Sequence, residues 1–147
     1  MNSPTKKSNL VVDRPQPERG LLDTSVVIDL ERISVDSLPG EVAISAITMA
    51  ELAAGPHATQ DPEERSRRQD RLQRTEAAFD PLPFNTEAAR AYGRVFAAIA
   101  AAGRKPRGAR ALDLLIAATA LAEGLPLYTR NPDDFRALEG IVDVISI

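Results

Sequence analysis

The sequence contains no cysteine, which excludes disulfide staples, thiolate zinc sites and cysteine nucleophiles together. It has one histidine, His57, which follows Gly55-Pro56 and reads as a solvated loop residue. No apolar run approaches the roughly 18–20 residues that a bilayer span needs. The opening stretch MNSPTKKSNL lacks the apolar centre of a secretory signal. A cytoplasmic protein with no membrane association is the expectation. No GxxxxGK[ST] or GxGxxG stretch is present, so nucleotide-fold readings have no support. Lysine is scarce too: Lys6, Lys7 and Lys105 are the only three, and none is the late lysine of a receiver domain. Ser25 stands where a haloacid-dehalogenase Asp-x-Asp would need its second aspartate.

What is present suits one globular domain. The chain has 147 residues, 44% hydrophobic and 27% charged, which is enough to bury a core unaided. Net charge is −3, and by itself does not suggest a nucleic-acid binder. The distribution says more. Fifteen of the 18 basic residues are arginine, whose planar fork suits phosphate. From Ala88 to Leu112 there is no acid, only Arg90, Arg94, Arg104, Lys105, Arg107 and Arg110.

Residues 1–19 are polar, proline-bearing and aperiodic, and read as a flexible tail ahead of a domain over 20–147. Gly20–Asp23 reads as a short buried strand and Thr24–Glu31 as the start of a helix. Glu41–Ile44 reads as a second strand, Thr48–Ala54 as a helix ended by Gly55-Pro56, and Pro62–Phe79 as a charged helix. Leu82–Phe84 looks extended. In Thr86–Ala101, Tyr92, Val95, Phe96 and Ile99 follow a helical period. Leu112–Glu123 is an almost wholly apolar helix stopped by Gly124. A strand over Leu125–Thr129, a short helix over Pro132–Leu138 and a strand over Ile141–Ile147 complete the pattern. Strands alternating with helices predict an α/β fold, a mostly parallel central sheet with helices on both faces.

Five acids stand at element ends, and each has an innocent account. Asp23 can cap the helix after the first strand. Glu51 can close a capping box with Thr48. Asp113 can cap the apolar helix, although a carboxylate beside Leu114, Leu115 and Ile116 is costly unless paired, capping or metal-bound. Asp133 and Asp134 follow Asn131-Pro132 as first-turn acids. The ensemble is harder to explain that way. In a parallel sheet the strand ends gather at one edge, and carboxylates gathered there repel unless a cation neutralises them. Oxygen donors without His or Cys select Mg²⁺ or Mn²⁺.

Four segments, LLDTSVVIDL, AISAITMAEL, ALDLLIAATA and LYTRNPDDF, together resemble the PIN domain and its VapC-type toxins. The four stand in order from about Gly20 to Ile147, with acids separated by about 30, 60 and 20 residues. The resemblance implies a three-layer sandwich. It implies that Asp23, Glu51, Asp113 and Asp134 are the catalytic and metal-holding acids, with Mg²⁺ or Mn²⁺ as cofactor. Thr24, Ser25, Thr129 and Asn131 match supporting polar positions, and Arg110 also looks like a common feature. Some members carry Asp where this chain has Asn131, which bears on how tightly a second ion is held. Asp133 matches no role.

The implied activity is endoribonuclease hydrolysis that leaves a 5′-phosphate and a 3′-hydroxyl, with transfer or ribosomal RNA as substrate. Arg104, Lys105, Arg107 and Arg110 are placed to grip RNA backbone, though the same stretch suits a solvated loop. With two Tyr and four Phe, base-by-base stacking is not the obvious mode, and a folded RNA read by shape fits better. The implied partners are a VapB-type antitoxin of a type II toxin–antitoxin system and a second copy in a homodimer. The competing reading is a catalytically silent PIN-like scaffold that binds RNA or protein. It would call for a missing acid, and none of the four is missing.

Overall fold

A computed structural model describes residues 18–103 and 109–147. Its sheet has four strands, β1 (Arg19–Leu22), β2 (Glu41–Ala43), β3 (Leu127–Thr129) and β4 (Val144–Ser146), in the order β2-β1-β3-β4. All three pairings are parallel, with Leu21 opposite both Ala43 and Leu127, and Leu22 opposite Tyr128. Leu82 adds a one-residue parallel bridge to Ser45 beyond β2. Among the described residues five α-helices surround the sheet: α1 (Thr24–Ile28), α2 (Ala46–Ala54), α3 (Pro62–Ala78), α4 (Thr86–Ala101) and α5 (Ala109–Glu123).

Strand residues alternate between faces, and here both faces are covered, so the strands read as continuous apolar runs. Leu21, Ala43 and Leu127 pack with Val95 and Ile99 of α4 and Leu114 and Ile116 of α5. Leu22, Ile44 and Tyr128 point the other way, to Val26 and Val27 of α1, Leu52 of α2 and Leu72 of α3. Two cores separated by one sheet make the three-layer α/β/α sandwich that the alternation predicted. Gly20 keeps the layers close. A Cβ there would lie 2.5 Å from the Tyr128 ring.

Several boundaries differ from the sequence expectations. β1 begins at Arg19, because Glu18 already supplies a carbonyl to Glu41 N at 2.7 Å. The helix after it is five residues long, closes on Asp29 and gives way to a separate turn over Leu30–Arg32. The third strand starts at Leu127, not Leu125. The last is Val144–Ser146, since Ile141 and Val142 turn back to the Leu138 carbonyl. In α4 the buried stripe is Ala88, Ala91, Val95 and Ile99, while Phe96 is 45% exposed. Alanine blurs the helical period there, because it suits core and surface alike.

Candidate active site

The order β2-β1-β3-β4 puts successive connections on opposite sides of β1. The gap between the ends of β1 and β3 is thus a topological switch point, the crevice where open parallel sheets bind ligands. Asp23 follows β1 at that point and Thr129 ends β3. Asp23 N donates to the Tyr128 carbonyl at 2.8 Å, which fixes the residue to the sheet edge.

The Asp23 side chain is 4% exposed and fully engaged. Oδ1 accepts from Thr24 N at 2.9 Å, so it caps α1 as the plainest reading expected. Oδ2 accepts from the hydroxyls of Ser25 and Thr129, both at 2.8 Å. Capping alone would not need those two. The Thr129 hydroxyl is held in turn by Asn131 N at 3.0 Å, and Ser25 Oγ accepts from Arg130 N at 3.1 Å. The Asn131 side chain is exposed and makes no cap bond; its backbone carries the contact.

Glu51 meets this group through a hydroxyl. Thr24 Oγ1 donates to Glu51 Oε1 at 2.6 Å and lies 2.9 Å from Thr48 Oγ1. The capping-box reading of Glu51 does not hold. Helix α2 starts at Ala46, its cap is Ser45, whose Oγ accepts from Thr48 N at 3.0 Å, and Glu51 sits inside the helix. The S-x-x-T-x-x-E pattern therefore splits into a cap, a buried bridging hydroxyl and a carboxylate. Thr48 and Ser45 were not singled out from the sequence as part of the site, and both are 0% exposed. Burial pushes the Glu51 carboxyl above its ordinary value and the nearby Asp23 charge adds to this, while the Thr24 hydrogen bond opposes it.

Asp113 is not a cap either. Helix α5 begins at Ala109, so Asp113 lies one turn inside it, half-buried. Its neighbour Leu112 shares a shallow cleft with Ala50, Glu51 and Ala54, which brings the start of α5 beside Glu51. Asp134 is half-buried in the turn Pro132–Leu138 that follows β3, while Asp133 is exposed and pairs with Arg136. Residues Arg104, Lys105 and Arg107 lie outside the described residues, as does the side chain of Arg110. His57 is exposed, in the turn Gly55–Ala58.

The sequence from Gly20 to Ile141 (residues 20–141) matches the PIN domain family model. This chain belongs to the PIN domain family. It is 37% identical over 131 residues to Ribonuclease VapC5 of Mycobacterium tuberculosis, covering 87% of this chain and 93% of that protein. It is 31% identical over 125 residues to Ribonuclease VapC1 of Rickettsia felis, covering 82% and 91%. Among solved structures, the VapBC-5 toxin–antitoxin complex of M. tuberculosis superposes with a TM-score of 0.75 at 35% identity, covering 89% of this chain and all of that one. VapBC-1 of nontypeable Haemophilus influenzae gives 0.66 at 26%, covering 87% and 97%. The three-layer sandwich is thus the PIN fold.

Within this PIN domain Asp23 and Glu51 are linked through Thr24. Among the described residues no three acidic or histidine side chains converge tightly enough to cage an ion, and neither member of the pair has a cationic partner. That donor set still fits magnesium. Mg²⁺ is characteristically held through one or two carboxylates, several waters and substrate phosphate, and seldom by an all-protein cage. Among the described residues no helix is long and apolar enough to cross a membrane.

Proposed function

We propose that this PIN domain is a Mg²⁺-dependent endoribonuclease, acting in the cytoplasm as the toxin of a type II toxin–antitoxin pair. The observation that carries the reading is the Asp23–Thr24–Glu51 arrangement: Thr24 joins two carboxylates at the switch point, its N–H donating to Asp23 and its hydroxyl to Glu51, with no ion pair to either among the described residues. The names of the VapC relatives and the VapBC complexes support the same activity and a VapB-type antitoxin as partner. Homodimer formation is part of the proposal.

Asp23 and Glu51 would hold Mg²⁺, or Mn²⁺ in its place, with Asp113 from α5 and Asp134 from the turn after β3 completing the acidic surround. When bound, the ion supplies an activated water and offsets charge building on the scissile phosphate. The protein's share is orientation and proton handling. Ser25 and Thr129 hold Asp23 Oδ2 in place, and Thr24 does the same for Glu51 Oε1. The Glu51 carboxylate, oriented by Thr24, would receive the proton of the attacking water.

Cleavage of total cellular RNA by purified, antitoxin-free protein tests this. Discrete fragments with Mg²⁺, absent with EDTA and absent for Asp113→Asn, are the expected result. Intact RNA from a folded wild-type protein, as inert as the variant, would favour the silent scaffold.

A further inference from the structure

On the α3 side, Glu51 borders a cleft of about 290 Å³ that runs across Ile28 and Leu52 to Arg68 and Arg71. It continues into a groove of about 180 Å³ between α1 and α3, floored by Val27 and Phe79, with Ile28 and Arg71 common to both. Ile28 is 45% exposed there.

The arginines of α3 are not equivalent. Arg68 is committed: its Nε donates to Glu64 Oε2 at 2.8 Å and its Nη1 to the Gly55 carbonyl at 2.9 Å, tying α3 to the end of α2. Arg67 shares the same Glu64 from the solvent side at 2.7 Å. Arg74 pairs with Asp70. Arg71 lies one turn from each of these pairs, half-buried over the cleft, and has no ion pair among the described residues. Two arginines share one glutamate here, and Arg71 adds a charge with no ion pair among the described residues, with Glu31 the acid lining the adjoining groove. A half-buried cation facing an apolar floor beside a carboxylate pair fits an anion that arrives with an apolar body.

We propose that Arg71 binds a backbone phosphate of the RNA strand, flanking the phosphate that is cut. The base and ribose between the two phosphates lie over Ile28 and Leu52. The guanidinium fork suits a phosphate bidentately, and contacts of this kind set register without reading sequence. The strand path thus has a basic flank on α3, on a different element from the basic stretch at 104–110. This inference rests on the ribonuclease reading.

Binding of bulk transfer RNA to the Asp113→Asn protein, followed from 50 to 200 mM salt, is the test. Adding Arg71→Ala should weaken binding about 3–10-fold and lower the slope of log affinity against log salt by about 1. In the active protein the same change should raise KM with kcat within about twofold, and Arg71→Lys should restore part of the loss. Arg67→Ala removes equal charge from the same helix outside the cleft and should have less than half the effect. Unchanged binding and slope for Arg71→Ala, in a protein whose wild type cuts RNA, would overturn this inference alone. So would a loss confined to a captured protein partner. A wild type that neither binds nor cuts RNA would sink the ribonuclease reading, and this inference with it.

Discussion

Glu51 stands where burial and the Asp23 charge both disfavour its ionised form, and only the Thr24 hydroxyl eases that. Its folded pKa therefore lies above its ordinary value of 4.5. Between those two values the folded protein keeps a proton that the unfolded chain has lost, so stability falls as pH rises through that window. Glu51→Gln keeps the acceptor oxygen for Thr24 and removes the charge. In EDTA, melting curves taken upward from pH 4.5 should show the variant gaining on wild type as pH rises, while Mg²⁺-dependent cleavage is lost. A variant that melts lower than wild type at neutral pH would contradict this. Tyr128 poses the opposite case. Its hydroxyl is buried with no hydrogen-bond partner among the described residues, and burial together with the Asp143 charge pushes its pKa up. Tyr128→Phe removes only that hydroxyl and leaves the ring against Gly20. Denaturant unfolding should give a change between zero and about 1 kcal/mol in favour of the variant; a loss above about 1 kcal/mol would show that the hydroxyl is bonded after all.

At the scale of elements, the pieces with strong local grammar were legible in the sequence. Helix α3 was legible from its charged run and Pro62 in the first turn, and it runs Pro62–Ala78 against an expected Pro62–Phe79, with Asp61 as its cap and Glu64 pairing with Arg67 and Arg68. Three-residue strands carry too little pattern to show their ends. The start of β3 is set by a bond between residues distant in the chain, Leu127 N with the Asp143 carbonyl, and β4 is shortened by a turn at Leu138 that its alternating pattern does not show. The site divided in the same way. Asp23 was legible because a buried strand ended on it. The role of Thr48 was hidden, because its hydroxyl meets Thr24 across 24 positions of sequence and the same hydroxyl also fits a capping box. Ser45, the true cap of α2, holds Thr48 N, and through Thr48 the helix that carries Glu51. Ser45→Ala should cost about 1 kcal/mol, within the usual 0.5–2 for a lost cap, read from the urea midpoint at unchanged slope. No measurable loss would mean that α2 is held by packing alone.

For the whole molecule, a mildly acidic protein handles a polyanion by separating its charges in space. The net charge of −3 hides an arginine-bearing α3 beside a small acidic crevice and, in the sequence, an acid-free stretch from Ala88 to Leu112. The sheet order does the gathering: β1 and β3 lie side by side although about 100 residues separate them, so Asp23 and Thr129 share one hydrogen bond. The chemistry claimed for that crevice has a signature in its products. Water attacking phosphorus with the 3′-oxygen leaving gives a 5′-phosphate and a 3′-hydroxyl, whereas attack by the RNA's own 2′-hydroxyl gives a 5′-hydroxyl and a cyclic phosphate. The end groups of RNA fragments made by the purified protein, with Mg²⁺ and with EDTA, therefore test the central claim most directly. The account predicts 5′-phosphate ends with Mg²⁺ and no fragments with EDTA or with Asp23→Asn; 5′-hydroxyl ends that persist in EDTA would contradict it.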